Sequence, residues 1–256
     1  MAQLNKVIGF ERHPNGVAVL SMLKNKTLNA LDVNLMVALL AKLKEVESDD
    51  DVHVVILTGV GRGFCSGADL TGGLLQENAD KLEDWIRQYA NPIVTFIQSM
   101  SKMVIAAVNG VAAGAGVSLA LACDIIFSAE SARYFLSFAK IGMAMDMGAS
   151  WMLNRRIGSM RTAALTMSAD FLNAEKSQQW GLTYEVVIDD NLMTRTLEFA
   201  GQIACQSIPA LKALKAQIKF ADTATLSESL EYEAQIQGAL VQTDQAQQLI
   251  KKFSEH

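Results

Sequence analysis

The sequence predicts an α/β fold with a helical C-terminal extension, and three observations support this. Short apolar runs typical of buried strands lie in the first half of the chain, the clearest being Val104 to Val108. Segments with helical periodicity alternate with these runs. The last third of the chain reads as helix alone, without a low-complexity linker. Strands interleaved with helices and followed by helices are typical of an α/β domain with a helical end.

The composition restricts the classes of function. The chain has 256 residues, of which 50% are hydrophobic, so we expect oligomer interfaces as well as a sizeable core. A net charge of −5 argues against a nucleic-acid partner. Cys65, Cys123 and Cys205 are too few and too scattered for a disulfide framework or a zinc site, and fit a reducing compartment. No secretory signal is recognisable at the N-terminus, so a cytoplasmic location is expected.

The chain is predicted to open with a hairpin and a helix. Val7 to Phe10 and Val17 to Met22 alternate as strands do, and Pro14-Asn15-Gly16 is the turn between them. An amphipathic helix is expected over about residues 30–47, and Val52 to Thr58 is a buried strand.

A glycine-rich segment, residues 59–70, follows this buried strand. Residues 71–80 are polar and contain glycine, which predicts a mobile loop. A helix over about residues 81–100 then leads to the central strand at Val104.

An uncharged stretch, Met103 to Cys123, is the centre of the predicted architecture. Its strand is followed by Asn109-Gly110, then by Gly114 and Gly116 at the start of a short apolar helix. Glycine allows close approach of the backbone, and a helix N-terminus offers unpaired N–H groups and a positive dipole, so such a place binds or stabilises negative charge. The alternatives are a transmembrane helix, which the glycines and Asn109 disfavour, or simple core packing.

The C-terminal part is predicted to be helical. The predicted segments are 161–168, 174–180, 191–205, 208–220, 226–241 and 245–253. Asp146 lies before them, among methionines and small residues, which is an unusual setting for a single carboxylate.

Two motifs, G-R-G-F-C-S-G-A-D-L at residues 61–70 and N-G-V-A-A-G-A-G at residues 109–116, resemble the paired signatures of the crotonase superfamily, the enoyl-CoA hydratase/isomerase family. Their order and spacing and the later K-I-G and D-M-G-A-S-W segments agree with it. The resemblance implies a crotonase-like spiral of ββα units over residues 1–195, with residues 196–256 as a helical region for packing and trimerisation.

The resemblance also implies the partners. The family binds acyl-CoA thioesters and assembles as trimers or dimers of trimers, so we expect an acyl-CoA substrate, a homo-oligomer and no membrane partner. Coenzyme A is then part of the substrate, and no separate cofactor or metal is expected. Gly114 and Gly116 imitate part of a dinucleotide fingerprint, but Leu119 occupies the third glycine position, which disfavours NAD.

Two backbone N–H groups hold the thioester oxygen in this family, and by position they are those of Ala68 and Ala115. The family usually has glycine at the second position, but the donor is main-chain, so alanine suffices if its backbone angles suit it. Removing a proton next to a thioester leaves an enolate whose charge lies on this oxygen. Preorganised donors stabilise it, each worth on the order of 10²–10³ in rate.

Candidate contacts of the adenine and phosphate end of coenzyme A lie near the first motif. They are Ser66, Asp69 and Leu70, with Lys24 or Lys26 near phosphate. For both lysines a solvated turn is the alternative.

The chain departs from the hydratases of the family. The two glutamates that position and activate water fall on Ser118 and Phe138, and neither residue transfers a proton as a carboxylate does. We therefore expect both, with Gly114, to line the substrate pocket. No histidine is near Ser118 in the sequence pattern, so it is not expected to be a nucleophile.

Asp146 falls where the isomerases of the family place their single acidic residue. These are the Δ3,Δ2-enoyl-CoA isomerases and the ring 1,2-epoxyphenylacetyl-CoA isomerases of phenylacetate breakdown, and residues 138–153 look most like the latter. Because Met143, Met145 and Met147 should leave the carboxylate poorly solvated, its pKa should rise towards that of a general base. A helix N-cap is the alternative.

The resulting prediction is an acyl-CoA isomerase with Asp146 as general acid and base. Three alternatives remain. Hydratase-like chemistry would need other groups than the missing glutamates. A 4-chlorobenzoyl-CoA dehalogenase-type nucleophile needs a tryptophan and a histidine, and the matching positions are Phe138 and Asn91. The third alternative is a non-catalytic acyl-CoA-binding protein.

Overall fold

A computed structural model of the chain describes residues 7–69 and 79–255. The strands are β1 (Ile8–Arg12), β2 (Val17–Met22), β3 (Val54–Gly59), β4 (Gly63–Cys65), β5 (Met103–Val108), β6 (Val111–Ala113), β7 (Ile125–Ala129), β8 (Arg133–Phe135), β9 (Phe171–Asn173) and β10 (Glu185–Val187). The α-helices are α1 (Val33–Glu47), α2 (Leu82–Trp85), α3 (Asn91–Ser99), α4 (Ala115–Ala122), α5 (Ala149–Ser168), α6 (Ala174–Gln179), α7 (Leu192–Ala204), α8 (Ile208–Ala221), α9 (Leu226–Leu240) and α10 (Asp244–Ser254).

The larger sheet contains β1, β2, β3, β5, β7 and β10 in that order. The hairpin β1–β2 is antiparallel as predicted, and the remaining neighbours are parallel. Every residue of β3 is buried, as are Val104 to Val108 of β5. Parallel strands covered on both faces read as continuous apolar runs, which is why their sequences were recognisable.

The smaller sheet contains β4, β6, β8 and β9 in that order, with only β8–β9 antiparallel. The chain runs from β3 to β4, from β5 to β6 and from β7 to β8, and a helix follows each pair. This is the spiral of ββα units that the resemblance implies. The glycine-rich segments are the places where the chain leaves one sheet for the other.

The expectation that the last third is helix alone is wrong. Strands β9 and β10 lie there and pair with β8 and β7. Each has three residues, which is too short to show a period of two. The six predicted helices are present, but residues 161–168 are only the second half of α5, which starts at Ala149 and contains a non-helical Gly158.

Other predicted boundaries differ by a few residues. Helix α1 starts at Val33 because Asp32 is its N-cap and accepts a hydrogen bond from Leu35 N at 2.8 Å. The helix predicted over residues 81–100 contains a π-helical turn, Ile86–Ala90, between α2 and α3. The predicted loop at residues 71–80 lies almost entirely outside the described residues.

Helix α7 spans the predicted boundary at residue 195 and packs against β2, β3, β5 and β7. The division into 1–195 and 196–256 stays a prediction. The uncharged stretch divides into β5, β6 and the eight-residue α4, so it is not one long helix. Among the described residues, no helix combines the length and the apolar character that crossing a bilayer requires.

Candidate active site

The first predicted donor, Ala68, lies just beyond β4. Ala68 forms a parallel bridge with Leu31, in which Leu31 N donates to Gly67 O at 2.7 Å and Asp69 N donates to Leu31 O at 3.0 Å. In this pattern the N–H of the middle residue points away from the partner strand. The Ala68 N–H is therefore directed to the opposite side, where it finds no acceptor among the described residues.

The second predicted donor, Ala115, is the first residue of α4. Gly114 precedes it with φ 48° and ψ −122°, a conformation that only glycine adopts readily. The Gly114 carbonyl accepts from Val117 N and Ser118 N, whereas the N–H of Ala115 is one of the unpaired donors of the helix start. Ala115 is not among the residues with positive φ, so alanine fits at this position.

The two turns are packed against each other through glycines. A Cβ on Gly67 would lie 2.7 Å from Ala113 O and 3.4 Å from Ala115 N, and a Cβ on Gly116 would lie 2.0 Å from Cys65 O. Only glycine allows this approach. Because Ala68 follows Gly67 directly, the two predicted donors come from turns in direct contact.

Asp146 lies in the turn before α5 and is half-buried. Its Oδ1 is buried and has no hydrogen-bond partner among the described residues. Burial raises the pKa of Asp146 from 3.8 to about 6, and a hydrogen bond from its own backbone N–H acts in the opposite direction. A carboxyl group with this pKa exchanges protons near neutral pH.

The N-cap alternative for Asp146 is wrong. Helix α5 starts at Ala149, and its N-cap is Gly148, which has no side chain to offer. The backbone carbonyl of Asp146, in contrast, accepts hydrogen bonds from Ala149 N at 3.0 Å and from Ser118 Oγ at 3.2 Å. The carboxyl group of Asp146 takes part in neither of these hydrogen bonds.

The predicted methionine surroundings are present only in part. Met147 is buried and Met145 packs against the core, but Met143 is 38% exposed. Met143 follows the exposed turn at Ile141 and Gly142, where φ of Gly142 is 69°. Of the three methionines, only Met145 and Met147 therefore belong to the buried surroundings that the sequence predicts for Asp146.

The predicted pocket residues meet around α4. Ser118 is fully buried on this helix, and the ring of Phe138 lies 3.8 Å from where a Cβ of Gly114 would be. The two positions at which hydratases carry glutamate are thus close to Ala115, and neither supplies a carboxylate here. His53 lies elsewhere, with its Nδ1 at 3.2 Å from Ala204 O.

The candidate coenzyme A contacts lie together beside the first motif. Lys24 Nζ is 2.6 Å from Asp32 Oδ2 and 3.8 Å from Asp69 Oδ2, and Ser66 Oγ donates to Thr27 O at 2.8 Å. These bonds give Lys24 and Ser66 a structural role, since they join the turn after β2 to the segment after β4. Their contact with coenzyme A stays a prediction.

Lys26 differs from Lys24 in that its side chain is exposed and forms no ion pair with any described residue. Because Lys24 is paired with carboxylates, the positive charge of Lys26 is the less neutralised of the two and the more available to a phosphate group. Leu70 lies outside the described residues.

Sequence reasoning missed two asparagines that hold the first motif. Buried Asn29 donates from Nδ2 to Val60 O at 3.1 Å and to Gly63 O at 2.8 Å. Asn109 accepts from Gly59 N at 3.2 Å and donates to Gly61 O at 2.9 Å. Asn29 has φ 59°, a conformation that asparagine tolerates better than most residues, but the sequence alone does not reveal this angle.

A metal centre has no support in the described part of the chain, where no group of three or more His, Cys, Asp or Glu side chains is placed to hold an ion. The chemistry on offer consists of a carboxyl group with a raised pKa and two main-chain donors. Such an arrangement can remove and return a proton next to a carbonyl group whose oxygen is held.

The chain is similar to known proteins in both sequence and fold. The sequence model of enoyl-CoA hydratase/isomerase matches residues 12–256. The chain is 37% identical to 1,2-epoxyphenylacetyl-CoA isomerase of Escherichia coli (strain K12), with 87% of this chain and 86% of that protein covered. It is 33% identical to a probable enoyl-CoA hydratase of Rhodobacter capsulatus, with 94% and 92% covered. The crystal structure of a putative enoyl-CoA hydratase/isomerase from Mycobacterium abscessus superposes with a TM-score of 0.92 at 28% identity, covering 97% of this chain and 96% of that one.

Proposed function

Since this chain belongs to the enoyl-CoA hydratase/isomerase family, we propose that it is an acyl-CoA isomerase with Asp146 as its general acid and base. The substrate is an acyl-CoA thioester with a 3-enoyl or a ring-derived acyl group. The 37% sequence identity of this chain to a 1,2-epoxyphenylacetyl-CoA isomerase supports this choice among the activities of the family.

The reaction begins at C2 of the thioester. The ionised carboxylate of Asp146 takes a proton from C2, and the electron pair moves to the carbonyl oxygen. The N–H groups of Ala68 and Ala115 stabilise the enolate charge on this oxygen, each by on the order of 10²–10³ in rate.

The same carboxyl group then completes the isomerisation. Protonated Asp146 returns the proton to C4 of a 3-enoyl substrate, and the double bond shifts from C3 to C2 without gain or loss of atoms. One group serves both steps because a dienolate is planar, so both carbons face the same carboxylate. In a ring-epoxide substrate the same group takes the C2 proton and returns it to the ring, while the C–C bond shared by the ring and the epoxide breaks and the ring expands to include the oxygen.

The raised pKa of Asp146 suits it for both steps. A group with a pKa of about 6 is largely ionised at pH 7 and is also a competent acid once it holds a proton. General acid–base catalysis of this kind contributes typically about 10²–10⁴ in rate.

Hydration is disfavoured because Ser118 and Phe138 occupy the two positions at which hydratases of the family carry glutamates. Adding water to a 2-enoyl thioester needs groups that activate water and deliver a proton. Ser118 gives its hydroxyl hydrogen to the Asp146 carbonyl, and Phe138 presents an aromatic ring. The observation that carries the proposal is the poorly solvated carboxylate of Asp146, whose main-chain carbonyl is bonded to the helix that starts at Ala115.

In the experiment, wild-type protein is incubated in deuterated water with 3-enoyl, 2-enoyl and aromatic CoA esters in turn. The position of deuterium in each product is determined by NMR. We expect the double bond of a 3-enoyl ester to move and deuterium to enter at C2 or C4. Water addition to the 2-enoyl ester would identify a hydratase, and chloride release from 4-chlorobenzoyl-CoA a dehalogenase. Tight binding without turnover of any ester would identify a binding protein. Each of these three results would contradict the proposal.

A further inference from the structure

We propose that Ser118 is a positioning residue, which fixes Asp146 relative to the main-chain donor of Ala115. This inference rests on the proposed function, because it explains how the base of that reaction is held. It gives a role to the one polar side chain of α4, which the mechanism above leaves without any chemistry.

The geometry places the donor and the support of the base in one helical turn. Ser118 is three residues after Ala115, so both lie on neighbouring positions of the same face of α4. Its Oγ donates to the Asp146 carbonyl at 3.2 Å. Among the described residues, no other hydrogen bond joins α4 to residues 143–148.

The direction of the Ser118 hydroxyl is unusual for a helix. A buried hydroxyl inside a helix commonly donates to the carbonyl four residues earlier. Thr196 and Thr162 of this chain do so, with Leu192 O at 2.7 Å and Gly158 O at 2.9 Å. Ser118 instead reaches out of its helix to a residue 28 positions away.

The turn that carries Asp146 needs such support. The next two residues, Met147 and Gly148, both have positive φ, 48° and 77°. A left-handed conformation costs a residue with a side chain roughly 1–2 kcal/mol and persists only where the surroundings enforce it. The hydrogen bonds from Ser118 and Ala149 to the Asp146 carbonyl are the polar contacts that enforce it.

Support through the backbone also suits the chemistry. A hydrogen bond to the carboxylate would lower the pKa of Asp146 and occupy a lone pair that the substrate proton needs. A neutral hydroxyl on the main-chain carbonyl orients the residue and leaves buried Oδ1 unpaired. The same serine thus fixes the base without weakening it.

The test compares Ser118→Ala with Ser177→Ala. Both remove a fully buried hydroxyl that is hydrogen-bonded to a main-chain carbonyl, but Ser177 bonds Ala174 O at 2.6 Å and Thr183 Oγ1 at 2.7 Å and lies outside the site. Two readouts are used: kcat and KM with the best CoA ester, and amide hydrogen exchange over residues 144–150. Ser118→Cys, which keeps the shape with a weaker donor, completes the series and replaces Ser118→Ala if that variant does not fold.

We expect Ser118→Ala to lose about 10–100-fold in kcat with KM within about threefold, since a small displacement of a reacting group costs up to ~10²-fold. Exchange over residues 144–150 should accelerate, Ser118→Cys should be intermediate, and Ser177→Ala should resemble wild type in both readouts. Unchanged kcat and unchanged exchange in Ser118→Ala would overturn the proposal, as would equal effects in Ser177→Ala.

The hydrogen-exchange readout separates this inference from the proposed function. If wild-type protein turns over no isomerase substrate, the proposed function fails, and unchanged exchange would independently show that Ser118 does not hold the turn. If wild type is an isomerase and Ser118→Ala matches it in kcat, only the positioning role fails.

Discussion

Burial of the Asp146 carboxyl group lowers the stability of the fold when the group is ionised. Its pKa in the folded protein, about 6, is above the unfolded value near 3.8, so the fold binds this proton more tightly than the unfolded chain does. The stability that this group contributes is complete below about pH 4 and is lost as the pH rises through about 6. At neutral pH the ionised form therefore destabilises the fold.

Replacement of this carboxylate should accordingly stabilise the protein. We expect Asp146→Asn to gain roughly 1–3 kcal/mol in the free energy of unfolding at pH 8, since each unit of pKa shift corresponds to about 1.4 kcal/mol. The gain should shrink to almost nothing at pH 4. Urea unfolding of both proteins at the two pH values measures it. A variant less stable than wild type at pH 8 would show that the ionised carboxylate is well solvated.

The same pKa predicts the pH dependence of activity. The base must be ionised to take the C2 proton, so kcat/KM should rise with pH, reach half its maximum near pH 6 and then level off. Initial rates between pH 4.5 and pH 8.5 measure this profile. A half-maximum near pH 4 would mean that the essential carboxyl group is not desolvated.

At the scale of the elements, the site depends on glycines where β4 meets the start of α4. Gly116→Ala would place a methyl group 2.0 Å from Cys65 O, whereas Gly238→Ala in the exposed α9 meets nothing within 4 Å. We expect the first change to destabilise the protein by about 1–3 kcal/mol or more through overpacking. The second should stabilise it by about 0.5–1 kcal/mol, because alanine has the higher helix propensity.

Both variants are best compared in one set of thermal or urea unfolding curves, with activity measured alongside. Gly116→Ala should also lose turnover, since the donors of Ala68 and Ala115 would separate, and Gly238→Ala should keep it. Equal stability of the two variants would contradict the close contact between the turns.

How far the elements could be predicted depended on burial and length. Strands β3 and β5 were predicted within two residues because burial on both faces makes them largely apolar, and β2 was predicted from its alternation. Strands β9 and β10 have only three residues each and exist because a neighbouring sheet edge is available, which no local pattern reveals. The π-helical turn in 86–90 left no recognisable signal either.

The features of the candidate site also fall into those that the sequence indicated and those that it did not. The direction of the pKa shift of Asp146 followed from its apolar neighbours, and the resemblance of the two glycine-rich motifs to the family signatures indicated the two candidate donors. The bond from Ser118 to Asp146 was out of reach, because these residues meet only through the packing of α4 against a turn 28 residues away. The role of Asn29 depends in the same way on two distant main-chain carbonyls, those of Val60 and Gly63.

At the scale of the whole molecule, a buried ion pair fastens the C-terminal helices to the larger sheet. Lys215 of α8 is 6% exposed, and its Nζ lies 2.7 Å from Asp124 Oδ2 and donates to Lys102 O at 2.6 Å. Asp124 also accepts from Val104 N in β5 at 2.8 Å. The pair thus joins α8, the start of β7 and the central strand.

Breaking this pair should cost more than breaking an outer one. We expect Lys215→Met to lower the free energy of unfolding by about 3 kcal/mol, because it removes the nearer positive charge from buried Asp124 and leaves the more distant Lys219, at 3.6 Å. Lys219→Met, at a side chain that is 27% exposed, should cost less. Chemical unfolding of both variants decides the order, and an equal or reversed order would contradict an anchoring role for Lys215.

The expected homo-oligomer stays a prediction at this scale. Large apolar side chains such as Met160, Met167 and Phe253 are 81%, 79% and 87% exposed, which agrees with the interfaces that the composition suggested. Light scattering of the purified protein, with a trimer or hexamer expected, would decide.

The role of Asp146 in moving the C2 proton is tested most directly by isotope exchange. The rate at which the C2 hydrogen of a 3-enoyl-CoA ester exchanges with deuterated water is measured for wild type and Asp146→Asn side by side. We expect Asp146→Asn to exchange this hydrogen at least about 10²-fold more slowly, while its dissociation constant for the CoA ester stays close to that of wild type. Exchange by Asp146→Asn at the wild-type rate would contradict this role of Asp146, because another group would then be moving the proton.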